Sequence, residues 1–376
     1  MSYPTGVELA NSNALQAGVY VPGKPISDVA SSLNLDPRTI VKLASNENPL
    51  GPSPLASRAV EEALGNQHRY PEGSATRLRE AISEGLGIDV DQIVCGNGSN
   101  ELLELMAKVF AGPGRSIVHG QWGFIVYRLA ALHSGSQALA VPMNNYGHDL
   151  WAMRETIRED TAVVYLASPN NPTGVRNSND ELRDWITSMP NRVILCIDEA
   201  YVDYVADPLD LRPFIAEGRP IVAMRTFSKI YGLAGYRVGF AYGRRDLIEI
   251  LARNRDPFNV NYPGQVAAEA GLKDREHISR SLEVNAAGLV RLAEILTRFH
   301  LAYIPSEANF LMVRHPRAGY LVQALLEKGV IVRGLQPYGL TSELRISVGL
   351  PGELDRLEQA LSECEMEHFA EDAMNK

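Results

Sequence analysis

The chain is short of several things, and each shortage removes a class of function. Three cysteines, Cys95, Cys196 and Cys364, are scattered over 376 residues with no paired spacing. Neither a thiolate metal site nor a disulfide framework follows from such a pattern, no metal is expected, and a reducing compartment is. Cys95 and Cys196 lie in apolar runs and are expected as buried thiols. Basic residues are outnumbered, 36 Lys and Arg against 45 Asp and Glu, for a net charge of −9. With no basic stripe, a nucleic-acid footprint is not expected. No apolar run approaches the ~18 residues that a membrane span needs. The opening MSYPTGVELANSN has no basic stretch followed by an apolar one, so no secretory leader is expected and the cytoplasm follows by default. Repeats and low-complexity linkers are also missing. The turn Gly96-Asn97-Gly98 is not a GxGxxG fingerprint, which sets a dinucleotide-binding dehydrogenase aside.

What is present is alternation. Apolar strand-like runs at Gln92–Cys95, Ser116–Val118, Ala138–Pro142, Ala162–Leu166, Val193–Ile197, Pro220–Met224 and Arg237–Gly243 are separated by helical stretches such as Glu101–Phe110, Gly123–His133 and Asp180–Met189. Unbroken apolar strands alternating with helices predict an α/β fold, a mostly parallel sheet covered on both faces. Beyond about residue 258 the pattern changes to long helices and short strands, a smaller α+β unit. The expected organisation is an extended N-terminal arm over 1–35, a large domain over 36–258 and a small C-terminal domain over 259–376. A strand is expected at Val330–Arg333, a helix at Pro351–Ser362 and a frayed end from about Met366.

The chemistry is expected around Thr226–Gly239, TFSKIYGLAGYRVG. Lys229 follows a buried strand, where dehydration disfavours its charged form. A neutral amine there can condense with a carbonyl to form a Schiff base. Ser228 and Arg237 beside it suit a phosphate, and the glycines let backbone approach a ligand. Together these suggest pyridoxal 5'-phosphate (PLP), which asks a protein for four things: a lysine, a carboxylate at the pyridine nitrogen, donors at the phenolic oxygen and a phosphate cradle. Asp198, ending the run Val193–Ile197, suits the second. Asn171 and Tyr201 suit the third. Ser99 and Asn100, at the start of a helix after a glycine turn, join Ser228 and Arg237 in the fourth. Trp122 is the candidate aromatic for the ring face. Each residue also has a plain structural use: a loop lysine, a turn-capping Asp or Asn, a core Tyr or Trp. Asn171, Asp198 and Lys229 nevertheless share one placement, just past the end of a strand, where ligands of parallel sheets sit.

With these residues in view the chain resembles the histidinol-phosphate aminotransferase family, within the fold-type I PLP-dependent aminotransferases. YVPGKPI at 20–26, KLASNENPLGPSP at 42–54, RYP at 69–71, GNGSNE at 96–101, SPNNPTG at 168–174, DEAY at 198–201, Thr226–Gly239 and LRISVGL at 344–350 carry the likeness in order over nearly the whole chain. The resemblance implies transfer of an amino group between L-histidinol phosphate, or an aromatic amino acid, and 2-oxoglutarate, a step of histidine biosynthesis. It also leaves open a same-fold lyase similar to threonine-phosphate decarboxylase. It makes Lys229 the Schiff-base lysine and proton carrier, Asp198 the partner of the ring nitrogen, and Arg345 the binder of the substrate's anionic end. Tyr20 and Arg333 are its helpers, and Asn46 lies at the substrate mouth. Tyr70 matches a tyrosine that reaches the cofactor phosphate of the other subunit, which implies a homodimer with shared active sites.

Overall fold

The structure, a computed structural model, describes residues 5–10, 12–16 and 23–374. In chain order its strands are β1 (Val41–Lys42), β2 (Ile93–Gly96), β3 (Ser116–Gly120), β4 (Gln137–Val141), β5 (Thr161–Ala167), β6 (Ile194–Asp198) and β7 (Ile221–Thr226). There follow β8 (Gly239–Gly243), β9 (Ala302–Ile304), β10 (Phe310–Arg314), β11 (Val330–Ile331), β12 (Arg333–Gly334) and β13 (Glu343–Ser347). A seven-stranded sheet has the order β2-β8-β7-β6-β5-β3-β4. Only β8 runs against its neighbours in this sheet; the other pairings are parallel.

Every residue of β5 and β6 is buried, and the side chains alternate between two cores. Val164, Leu166, Leu195 and Ile197 pack with Leu182 and Trp185 of helix Asn179–Ser188. Val163, Tyr165 and Cys196 pack on the other face with Leu102 and Met106 of helix Ser99–Phe110. Burial on both faces is why these strands are apolar without a break. Each buried Val, Leu or Ile contributes roughly 1.5–3 kcal/mol, so an aspartate at Val164 would collapse the centre. The strand direction brings the carboxyl ends of β5, β6 and β7 to one edge, and with them the loops that carry the expected site.

A second, antiparallel sheet has the order β12-β13-β10-β9. Its core joins Leu311, Val313, Leu344 and Ile346 to Leu292, Leu325 and Leu357 from three helices, Arg275–Arg298, Ala318–Glu327 and Pro351–Met374.

Several expectations change. Residues 26–33 are helical rather than an extended arm: Ile26–Leu33 starts after Pro25 and is closed by Asn34 in a left-handed conformation, whose N–H donates to the Ala30 carbonyl. Val29 and Ala30 bury against Ile40, Leu326 and Ile331, an apolar anchor for the segment. Gly6–Leu9 and Ser12–Gln16 are short helices as well. The run Val330–Arg333 is two strands in two sheets, because β11 pairs with β1 in parallel while β12 pairs with β13. That pairing draws Leu43 into the second core. Helix Tyr262–Lys273, counted above with the small domain, packs against Pro54–Ala63 and contributes Ala267 and Ala268 to the large core. Both helices begin with a side-chain cap and a proline in the first turn: Ser53 accepts the Ala56 N–H and Asn261 the Gly264 N–H. The last helix continues in backbone to Met374 rather than fraying at 366.

Candidate active site

A cavity lies between the carboxyl ends of β5–β7 and the side of the small sheet formed by β12 and β13. Asp198, Lys229, Tyr201 and Asn171 line it, as do the expected phosphate ligands Ser99, Asn100, Ser228 and Arg237 and the expected substrate contacts Asn46, Arg333 and Arg345. Asp198 is the last residue of β6, and Lys229 lies three positions past the end of β7.

The phosphate end is built from backbone. Gly98 begins helix Ser99–Phe110 with φ +78°, and a Cβ there would stand 2.6 Å from Arg237 Nη2. A Cβ on Gly239 would stand 2.5 Å from the Ser99 nitrogen. Both positions therefore admit only glycine, and the guanidinium and the helix N-terminus close on one spot. Arg237 Nη1 donates to Ser228 Oγ at 3.4 Å and to the Ala234 carbonyl at 3.0 Å.

At the opposite end Asp198 is buried, which raises its carboxyl above the ordinary value. The Tyr127 hydroxyl donates to Oδ2 at 2.7 Å and the Ala200 N–H to Oδ1 at 3.0 Å, both favouring the ionised form. Lys229 Nζ donates to the Ser45 carbonyl at 3.2 Å and lies 5.5 Å from the centre of the Tyr201 ring. Burial first, then the Arg345 guanidinium, lower its ammonium from 10.5 to about 8. An amine of that kind has an appreciable free-base fraction near neutral pH. The Tyr201 hydroxyl accepts from Asn46 Nδ2 at 2.8 Å, and the ring meets Phe310 edge-on. Asn46 is itself fixed at φ +54° by Ser347, whose Oγ donates to its side-chain oxygen at 2.8 Å. Arg345 donates to Asn171 Oδ1 and, at 2.7 Å, to the Ala44 carbonyl.

A buried carboxylate, a depressed lysine, a phenol beside an asparagine, and a glycine-built anion cradle fit pyridoxal phosphate. The cradle would take the phosphate, Asp198 the ring nitrogen, and Tyr201 with Asn171 the phenolic oxygen.

Two of the expected residues, Trp122 and Tyr70, do not line this cavity; Phe124 does. The Gly123 N–H bonds the Gly120 carbonyl at 2.9 Å, a tight turn that places Phe124 at the start of helix Ile125–Ser134 and puts Trp122 against Met312, Leu335 and Leu340. Tyr70 is 81% exposed, stacked on Phe258, and is not in this chain's cavity. Tyr20 lies outside the described residues. Tyr127, Glu47 and Tyr338 also line the cavity and were not anticipated. Tyr127, one turn into an apolar helix, reads in sequence as core; its pairing with Asp198 had no local signal.

The family model for aminotransferase class I and II matches residues 38–361. Histidinol-phosphate aminotransferase 1 of Thiobacillus denitrificans is 44% identical over 346 residues, covering 92% of this chain and 90% of that protein. A histidinol-phosphate aminotransferase of Methylobacillus flagellatus is 43% identical over 360 residues, 94% of this chain and 98% of the relative. The crystal structure of histidinol-phosphate aminotransferase from Sinorhizobium meliloti in complex with pyridoxal-5'-phosphate superimposes with a TM-score of 0.85 at 26% identity, over 94% of this chain and 96% of that one. By sequence over most of its length and by fold, the chain belongs to the aminotransferase class I and II family, the pyridoxal-phosphate-dependent aminotransferases.

Proposed function

We propose that this aminotransferase moves the amino group of L-histidinol phosphate to 2-oxoglutarate, giving glutamate, as a step of histidine biosynthesis in the cytoplasm. The observation that carries the reading is a cationic pair, Arg333 and Arg345, lining the cavity in addition to the cradle of Ser228 and Arg237. A substrate with an anionic end of its own suits that pair, whether phosphate or carboxylate. The names of the relatives support the choice of amino donor, and favour transamination over a same-fold lyase.

When bound, pyridoxal phosphate supplies an electron-poor ring that draws on the α-C–H bonding pair and carries the amino group between the two half-reactions. Lys229 Nζ would take the proton from the substrate carbon that bears the amino group and deliver it to the cofactor side, and run the transfer in reverse in the second half-reaction, work suited to an amine poised near 8. Asp198, as a carboxylate, would keep the ring nitrogen protonated. Arg345 orients the substrate's anionic end, and its bond to Asn171 joins that end to the cofactor side.

The dimer belongs to the same reading. Tyr70 and Phe258 form an exposed aromatic stack with ring centres 4.7 Å apart, away from their own chain's cavity, and a second copy would take Tyr70 to its phosphate. Mixing inactive Tyr70→Ala and Lys229→Ala chains should restore activity through hybrid dimers, one of whose two sites is intact; no restoration contradicts shared sites. For the substrate, glutamate formation from L-histidinol phosphate and 2-oxoglutarate is the test. Conversion of aromatic donors alone would contradict the choice.

A further inference from the structure

Tyr146 occupies a position that a tyrosine fits poorly. Asn144 and Gly147 exchange backbone hydrogen bonds of 3.0 and 2.8 Å, and the two residues between them both have positive φ, Asn145 at +45° and Tyr146 at +65°. A two-residue turn of this hand favours glycine at its second place. A side chain kept in a strained backbone is held there by what it touches. Tyr146 touches the other domain: its hydroxyl donates to Glu343 Oε1 at 3.0 Å. Its ring lies against Trp122, centres 5.3 Å apart.

Trp122 and Tyr146 both pack onto Met312, Leu335 and Leu340 of the small domain, together with Tyr338. The same segment carries the substrate end of the cavity. Tyr338 lines it. Glu343 is two residues before Arg345 on β13, so both side chains leave one face of the strand. Arg333 pairs with Arg345 across β12 and β13. On the large-domain side the Trp122 carbonyl accepts from Asn170 Nδ2 at 3.0 Å, one residue before Asn171.

We infer that Trp122, Tyr146 and Glu343 form a clasp that sets where Arg333, Tyr338 and Arg345 stand over the cavity, and that Trp122 and Tyr146 are positioning residues for the substrate's anionic end. This rests on the reading in which those arginines take that end. The clasp touches neither the phosphate cradle nor Asp198, and it meets the cofactor side through the Trp122 backbone carbonyl beside Asn171 rather than through the side chains altered below, so those changes act on substrate binding far more than on cofactor binding.

The test uses the PLP-loaded enzyme with Tyr146→Phe, Tyr146→Gly, Trp122→Ala and Trp122→Phe. Tyr146→Phe loses one hydrogen bond, which corresponds to about a threefold to tenfold rise in KM for glutamate, with kcat within twofold and PLP affinity unchanged. Tyr146→Gly relieves the turn, yet its KM rises at least as far. Trp122→Phe recovers part of what Trp122→Ala loses. Amide hydrogen exchange across 333–340 quickens in Tyr146→Phe and Trp122→Ala. Unchanged glutamate KM and unchanged exchange overturn the clasp, and so does a loss of PLP affinity in step with KM, the mark of a merely structural role. Wild-type turnover of L-histidinol phosphate is read separately and bears on the substrate reading alone.

Discussion

Tyr127 Oη lies 2.7 Å from Asp198 Oδ2, and both groups are buried. The phenol is stacked on Tyr165 with ring centres 4.9 Å apart and planes 9° from parallel, so its direction is fixed by packing before any ligand arrives. Asp198 is thus a carboxylate aimed by the core. Tyr127→Phe keeps the stack and removes the donor. PLP affinity should fall about tenfold, since a hydrogen bond to a charged group contributes ~1.5 kcal/mol or more. Fluorescence titration of the cofactor-free protein reads this directly; unchanged affinity would show the contact to be idle.

Lys229 gives a pH dependence whose sign can be worked out. Its ammonium is lowered to about 8 in the fold against an ordinary 10.5. Between these values the unfolded chain binds more protons, so the stability of the cofactor-free protein rises with pH through that window. Below about 8 the cost of the buried ammonium is fully present. Lys229→Met removes it, so the cofactor-free variant should melt above wild type at pH 7, with the gap narrowing toward alkaline pH. Calorimetry at both ends of the window decides; a gap that widens with pH contradicts the depressed lysine. The same variant should bind PLP only non-covalently and turn over nothing.

Asp198→Asn keeps the shape of the site and the Ala200 contact but cannot hold a proton on the ring nitrogen. Some PLP should remain bound, with kcat down ~100-fold or more, in the range ascribed to proton control in catalysis. Retention of full activity would remove the assignment of Asp198.

Arg345→Ala should raise KM for both the amino donor and 2-oxoglutarate, because one cation serves both half-reactions. A rise for only one of them would mean that the two anionic ends bind at different places. PLP affinity should change less, although the bond to Asn171 is lost with the guanidinium.

The residues at strand ends were legible because a parallel sheet announces itself in continuous apolar runs, and its carboxyl ends collect ligands. Asn171, Asp198 and Lys229 come together for that reason. What was not legible depended on turns and on distant pairing. Between Gly120 and Phe124 a single tight turn decides which aromatic lines the cavity, and the spacing alone does not say whether it is Trp122 or Phe124. Tyr127 follows the helix periodicity of a core residue, and only the fold puts its hydroxyl on Asp198. The helix Ile26–Leu33 is preceded by two prolines and a glycine that argue for an extended chain, and it is stabilised by Val29 and Ala30 reaching a cluster that includes Ile331, 302 and 301 positions away. Val330–Arg333 is continuous in hydropathy, but two different partners divide it.

Lys229 is proposed to hold PLP in this cavity, and the bound PLP, with Lys229 released, to take the amino group of L-histidinol phosphate. The most direct measurement is the visible absorbance of the purified, PLP-loaded protein during titration with L-histidinol phosphate, glutamate and phenylalanine in turn. A lysine-dependent visible band is expected to bleach to a pyridoxamine-like spectrum, at the lowest concentration with L-histidinol phosphate, and to return with 2-oxoglutarate. A band that none of the three donors bleaches, or no band after PLP is added, would contradict it.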